Sequence, residues 1–191
     1  MKEERKIRIP ELLAPAGDYP ALLTALESGA DAVYFGVKSL NMRAEAGNFE
    51  IDELKKVMNA VLGSGKKGYL TLNTIVFDSE LKKLERILKA AKENKVDAVI
   101  AWDMAVINLA KKYGLEVHLS TQASVANTEA VKFYSQQGVS RIVLARECSL
   151  ENIANIRKEL LHQKCQTELE VFIHGAQCVS ISGRCFLSYV A

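Results

Sequence analysis

Short apolar runs alternate with longer segments of helical period along the whole chain. The runs are ELLAPA (11–16), ADAVYFG (30–36), GYLTLNTI (68–75), DAVIAW (97–102), EVHLSTQ (116–122), RIVLAR (141–146) and LEVFIHG (169–175). Most are continuous aliphatic or β-branched stretches without strict alternation, the pattern of parallel strands covered on both faces. The intervening segments carry helix signals. Asp18 is placed to cap a helix with Pro20 in its first turn and a stop at Gly29, and Ser149 to cap SLENIANIRKEL, whose Leu150, Ile153, Ile156 and Leu160 share a face. In ELKKLERILKAAKE the residues Leu81, Leu84, Leu88 and Ala91 form a stripe to be buried, which leaves the lysines as a solvated surface.

Seven strand–helix alternations predict a parallel α/β fold, and right-handed crossovers reduce the choice to a barrel or an open doubly wound sheet. The near-copies GADAVYFG and KVDAVIAW suggest repeated βα units, and no GxGxxG follows the first strand. A (β/α)8 TIM-type barrel is therefore expected, incomplete because seven strand candidates stand where the barrel has eight. On this reading residues 1–191 form one barrel domain, the N-terminal part of a longer protein.

Composition narrows the functional classes. The 191 residues are 49% hydrophobic, enough for one substantial core, and 25 Lys and Arg against 23 Asp and Glu leave a formal charge of +2. That balance neither announces nor excludes a nucleic-acid partner. The charged N-terminus lacks a signal-peptide core, and no apolar run approaches the roughly 18 residues of a membrane span, so a cytoplasmic location is expected. Cys148, Cys165, Cys178 and Cys185 then read as thiols or metal thiolates rather than disulfides.

Barrel active sites gather at the C-terminal ends of the strands. The polar residues closing the apolar runs are Asp18, Asn73, Asp103, Ser120, Thr121, Gln122, Arg146, Glu147 and His174, and the loop SLNMRAEAGNFE adds Arg43 and Asn48. Amides, carboxylates and two arginines around one mouth would suit a polar, anionic substrate. No GxSxG or HExxH motif is present, and His118, His162 and His174 give no recognisable Ser-His-Asp arrangement. The stretch EVFIHGAQCVSISGRCFLS (170–188) places Cys178 and Cys185 with six residues between them among glycines. Thiolates bind soft metals and iron–sulfur clusters, although a Cys178 nucleophile paired with His174, or plain structural cysteines, would give the same spacing. Cys148 follows the sixth strand and belongs at the same end as this stretch; Cys165 precedes the seventh and belongs at the other.

The same stretch resembles the signature of peptidase family U32. It matches Glu170, Phe172, His174, Gly175, Ala176, Cys178, Gly183, Cys185 and Ser188, and departs from it at Gln177, where the family usually carries an apolar residue. ELLAPAGD, GADAVYFG, the strand end at Asn73, HLSTQASVAN and RIVLARECSLENI extend the likeness over nearly the whole chain. The resemblance implies a (β/α)8-type domain and, as in several branches, a four-iron four-sulfur (4Fe-4S) cluster. Cys178 and Cys185 would be its first two ligands, with the second pair beyond residue 191, so the fragment alone should not hold it intact. It also implies one of two activities: proteolysis, collagenase-like in some members, or oxygen-independent hydroxylation of a tRNA uridine, an rRNA cytidine or a quinone precursor, with prephenate as a hydroxyl source. The segments RIVLARECSLENI and ELEVFIHGAQCVSISGRCFLS look most like the RNA-hydroxylating branch. The expectation is therefore an RNA-hydroxylating iron–sulfur enzyme with His174, Glu147 and Asp103 as catalytic groups, Arg43, Asn73, Gln122 and Arg146 binding substrate or an anionic cosubstrate, and Cys178 and Cys185 on the metal. The alternatives are a peptidase and a non-catalytic barrel subunit.

Overall fold

A computed structural model describes residues 9–42, 47–175 and 180–182. Strands and helices alternate in the order β1 (Leu13–Pro15), α1 (Tyr19–Glu27), β2 (Ala32–Gly36), α2 (Leu54–Gly63), β3 (Lys67–Leu72), α3 (Leu81–Glu93), β4 (Ala98–Ala101), α4 (Met104–Lys112), β5 (Glu116–Leu119), α5 (Thr128–Gln136), β6 (Arg141–Val143), α6 (Leu150–His162) and β7 (Glu168–Glu170). All neighbours pair in parallel, in sequence order.

The sheet curls. In a flat sheet β1 and β6 would lie five strand spacings apart, roughly 24 Å. Yet Arg141 Nη1 on β6 stands 2.6 Å from Oε1 of Glu11, which enters β1, and the Arg141 guanidinium lies 5.5 Å from the ring of Tyr69 on β3. Only a sheet rolled toward closure brings these three strands together, so the expected TIM-type architecture is present as seven parallel strands of a curled barrel wall.

Strand alternation sorts the side chains into two layers. Val33, Phe35, Leu70, Leu72, Val99, Val117, Leu119 and Ile142 join Leu22, Met58, Leu84, Ile107 and Ile156 in the main core between sheet and helices. Ala32, Tyr69, Ala98 and Ile100 form a smaller cluster inside the curl. The helix caps form as the sequence predicts: Asp18 accepts from Ala21 N at 2.8 Å, and Ser149 and Asn152 close a reciprocal capping box. In α3 the buried face is Leu84, Ile87, Leu88 and Ala91.

Two sequence expectations need correction. Leu150 is 86% exposed rather than part of the buried face of α6, which is formed by Ile156 and Leu160. The run LEVFIHG is a strand only as far as Glu170; Val171, Phe172 and Ile173 leave the ladder and are exposed, Ile173 to 80%. Among the described residues no helix is long and apolar enough to cross a membrane.

Candidate active site

Loops leaving the C-terminal ends of the strands are laced together by the polar residues that end the apolar runs. Asn73, just past β3, accepts Met42 N–H on its side-chain oxygen at 3.1 Å and the Trp102 indole N–H on its carbonyl at 2.9 Å. Asp103 caps α4, accepting from Ala105 N at 2.8 Å, and its second oxygen accepts from Val76 N at 3.2 Å. These two residues fix the loops after β2, β3 and β4 relative to one another. Asn41 Nδ2 donates to Asn48 Oδ1 at 2.6 Å in a buried amide pair. Gly36, at the end of β2, makes room for it: a Cβ there would lie 2.7 Å from Asn48 Oδ1.

On the other side of the mouth the organising residue is Ser182, which is fully buried. Its N–H donates to Glu147 Oε1 at 2.7 Å, and its hydroxyl oxygen accepts from Arg146 N at 3.1 Å and Arg146 Nε at 3.3 Å. Its carbonyl accepts from the hydroxyl of Ser124, a residue in the left-handed region at φ 53°. The loops after β5 and β6 thus grip the chain midway between Cys178 and Cys185. The hydrogen bond from Ser182 N holds the Glu147 carboxyl below the usual carboxylate range. Burial, reinforced by the Glu147 charge, pushes the Cys148 thiol up.

The predicted site residues therefore divide. Arg146 and Glu147 meet at Ser182; Asn73 and Asp103 meet around the loops after β2, β3 and β4; Gln122 Oε1 accepts from Ser120 Oγ at 3.1 Å beside β5. His174 is exposed beyond β7, next to Gly175 at φ 144°. Arg43, Cys178 and Cys185 lie outside the described residues. Among those described, no three His, Cys, Asp or Glu side chains are grouped as a metal site. Cys165 precedes β7, at the end of the barrel opposite the mouth, where its thiol lies 3.6 Å from Ser135 Oγ.

Sequence reasoning missed Ser182 and a second constellation at the N-terminal ends of the strands. There Arg141 binds Glu11 at 2.6 Å and Glu168 at 2.8 Å and approaches Glu170 at 3.6 Å. Glu11 also accepts from Lys67 at 2.9 Å and Tyr69 Oη at 2.7 Å. Burial would raise the Glu11 pKa, but hydrogen bonds from Arg141, Lys67 and Tyr69 outweigh it and hold the carboxyl at about 2. With two cations against three carboxylates, burial prevails at Glu170 and pushes its pKa up. Buried His118 packs edge-on to Tyr69, and burial followed by the Arg141 charge pushes its pKa down to about 4. The signal was a charged or titratable residue within four of the apolar runs: Glu11, His118, Arg141 and Glu170.

Comparison with known proteins places this geometry in a family. The family model described as Peptidase family U32 matches residues 17–191. An uncharacterized protease of Methanocaldococcus jannaschii is 49% identical over 178 residues, which are 93% of this chain and 44% of that protein. A collagenase of Porphyromonas gingivalis is 38% identical over 93% of the chain and 44% of its own length. A tRNA hydroxylation protein of Bacillus subtilis is 40% identical over 94% of the chain and 42% of its own length. The chain thus spans less than half the length of these relatives. A solved U32 peptidase structure superposes with a TM-score of 0.68 at 17% identity, covering 85% of this chain and 67% of that one, which supports the fold. With the family model matched over nearly the whole chain and relatives this similar, the chain belongs to peptidase family U32.

Proposed function

We propose that the protein is an enzyme that hydroxylates an RNA base, using an iron–sulfur cluster to which Cys178 and Cys185 contribute thiolates. The observation that carries this reading is the Ser182 anchor, which pins the segment between the two cysteines to the barrel mouth, where barrel enzymes place their chemistry. Thiolate sulfur is the donor such a cluster takes, and the remaining ligands would come from outside residues 1–191. When bound, the cluster supplies redox or Lewis-acid chemistry that side chains lack. The similarity to a tRNA hydroxylation protein supports RNA as the substrate.

The chain's own residues position and steer. Ser182 orients Arg146 and Glu147 side by side at the mouth, the guanidinium for a small anionic cosubstrate such as prephenate and the ionised carboxylate as a proton acceptor. Asp103 and Asn73, with their oxygens engaged by neighbouring loops, keep the opposite rim in place. His174, exposed after β7, is available to hold or move a proton. The similarity to proteins named protease and collagenase favours a second reading, proteolysis.

One experiment separates the two. Full-length protein purified without oxygen should carry about four iron and four sulfide per chain, Cys178→Ala should lose them with little change in helical circular dichroism, and tRNA from cells lacking the gene should lack a hydroxylated nucleoside. Protein that stays iron-free after reconstitution, yet cleaves denatured collagen, would reverse the assignment.

A further inference from the structure

Charge is distributed unevenly around the barrel wall. The successive helices α2, α3 and α4 carry nine Lys and Arg against two Glu, whereas α1, α5 and α6 carry three against four. The excess is densest on α3. Lys82, Arg86 and Lys89 stand at i, i+4 and i+7 on the side opposite its buried Leu84, Ile87, Leu88 and Ala91, with Lys83 flanking them. At 1.5 Å per residue the row extends about 10 Å along the helix. Glu85 ties the row to the end of α4: its pKa is lowered by the hydrogen bond it accepts from Tyr113 Oη at 2.6 Å, and then by the charges of Lys89 and Lys112.

Other cations on this wall have partners within the fold. Lys92 Nζ donates to Gly114 O at 2.8 Å, Lys111 Nζ donates to Gln137 O, and Lys56 lies 4.1 Å from the Tyr19 ring centroid. Lys82, Lys83, Arg86, Lys89 and Lys112 are exposed, and among the described residues none of them forms an ion pair. Besides Glu85, the carboxylates near the row in sequence are Glu93 at its far end and Asp78 and Glu80 in the turn before α3, where Glu80 accepts Phe77 N–H at 3.0 Å. Like charges at this spacing weaken a helix, and a merely solvated face gains from alternating signs, as Glu129 and Lys132 do on α5 at 2.7 Å. A polyanion lying along the row would offset that repulsion.

We propose that the outer face of α3, together with Lys112 of α4, docks the phosphate backbone of the RNA whose base is modified at the mouth. The inference rests on the RNA reading above and deepens it by naming a surface that holds the rest of the molecule. The cations are spread along the helix rather than converging on one point, which suits a linear polyanion over a single phosphate. A membrane-surface helix would expose large apolar side chains beside its cations, and none of the exposed large hydrophobic residues lies on α3. Because α3 follows the C-terminal end of β3, Lys82 and Lys83 stand at the mouth end and Lys89 further down the wall. An RNA lying along the row thus reaches the rim that Asn73 and Asp103 lace together. Such phosphate contacts orient a nucleic acid without reading its sequence.

The test is filter retention of unfractionated tRNA by full-length protein across a series of potassium chloride concentrations. In the triple variant Lys82→Gln, Arg86→Gln, Lys89→Gln the slope of log K against log salt should become shallower by about 2–3, since each phosphate contact contributes roughly 0.7–0.9. The double variant Arg157→Gln, Lys158→Gln on α6 should keep the parent slope, and both variants should melt with the parent because the substituted residues are exposed. An unchanged slope in the α3 variant, or an equal change in the α6 variant, overturns the docking face and leaves the RNA reading standing. Unchanged tRNA binding with lost retention on phosphatidylserine vesicles overturns it in favour of a membrane surface. A parent protein that retains no tRNA overturns both.

Discussion

At the N-terminal ends of the strands, Arg141 and Lys67 meet Glu11, Glu168 and Glu170 inside the curl, so charge is neutralised by charge within the fold. At the C-terminal ends, Asn73, Asp103 and Ser182 spend their hydrogen bonds on backbone groups of neighbouring loops, while Ser39 and Thr74 are left with none. The floor joins strands that are distant in sequence and so sets the curvature. The mouth joins successive loops to one another. Along the barrel axis the chain thus places its ion-paired network at one end and its loop-lacing hydrogen bonds at the other.

The largest test of that division is Arg141→Ala. It leaves three carboxylates around a buried vacancy and should cost about 3–5 kcal/mol, the usual penalty for removing one partner of a buried ionic network. Urea unfolding measures it, and a loss under about 1 kcal/mol would show that the floor does not hold the curl.

Acid titration sharpens the same point. His118 has a folded pKa of about 4 against an ordinary 6.5, so the unfolded chain binds the extra proton between those values. Its contribution is complete above pH 6.5 and is lost as the pH falls toward 4, by up to about 3 kcal/mol. Glu11, depressed from 4.5 to about 2, adds a second loss below pH 4.5, whereas Glu170, raised, acts in the opposite sense. Melting temperatures of His118→Asn should be flat between pH 6.5 and 4.5 where the parent declines; parallel curves would remove His118 from the floor's acid response.

Smallest in stability is Ser182→Ala, expected to cost about 1 kcal/mol for the hydrogen bonds its hydroxyl accepts. Its effect on iron retained by the full-length protein should be disproportionate, because the hydroxyl anchors the segment between Cys178 and Cys185. Full iron content in a variant melting normally would make Ser182 a structural residue only.

Much of the wall was legible beforehand because it depends on local pattern. Continuous apolar runs gave all seven strands, and Asp18 and Ser149 capped the helices they precede. The errors came at the ends of elements: Leu150 has helical spacing but, as the first residue of α6, is exposed, and Val171–Ile173 are apolar but unpaired among the described residues. The candidate site was legible as a set of strand-ending polar residues, but their grouping was not. Nothing in the sequence says that Asp103 would be engaged on both oxygens, or that Arg146 and Glu147 would share Ser182.

The sequence by itself determined the alternation of elements, the buried stripes, the caps and the family, since each is written in residues close together or in a contiguous motif. Tertiary structure alone decided that Glu11 meets Arg141 across 130 positions, and that Ser124, Arg146 and Glu147 converge on Ser182. The physical reason is range: periodicity and capping act within a few residues, whereas curling the sheet brings into hydrogen-bond contact side chains whose separation along the chain carries no local signal.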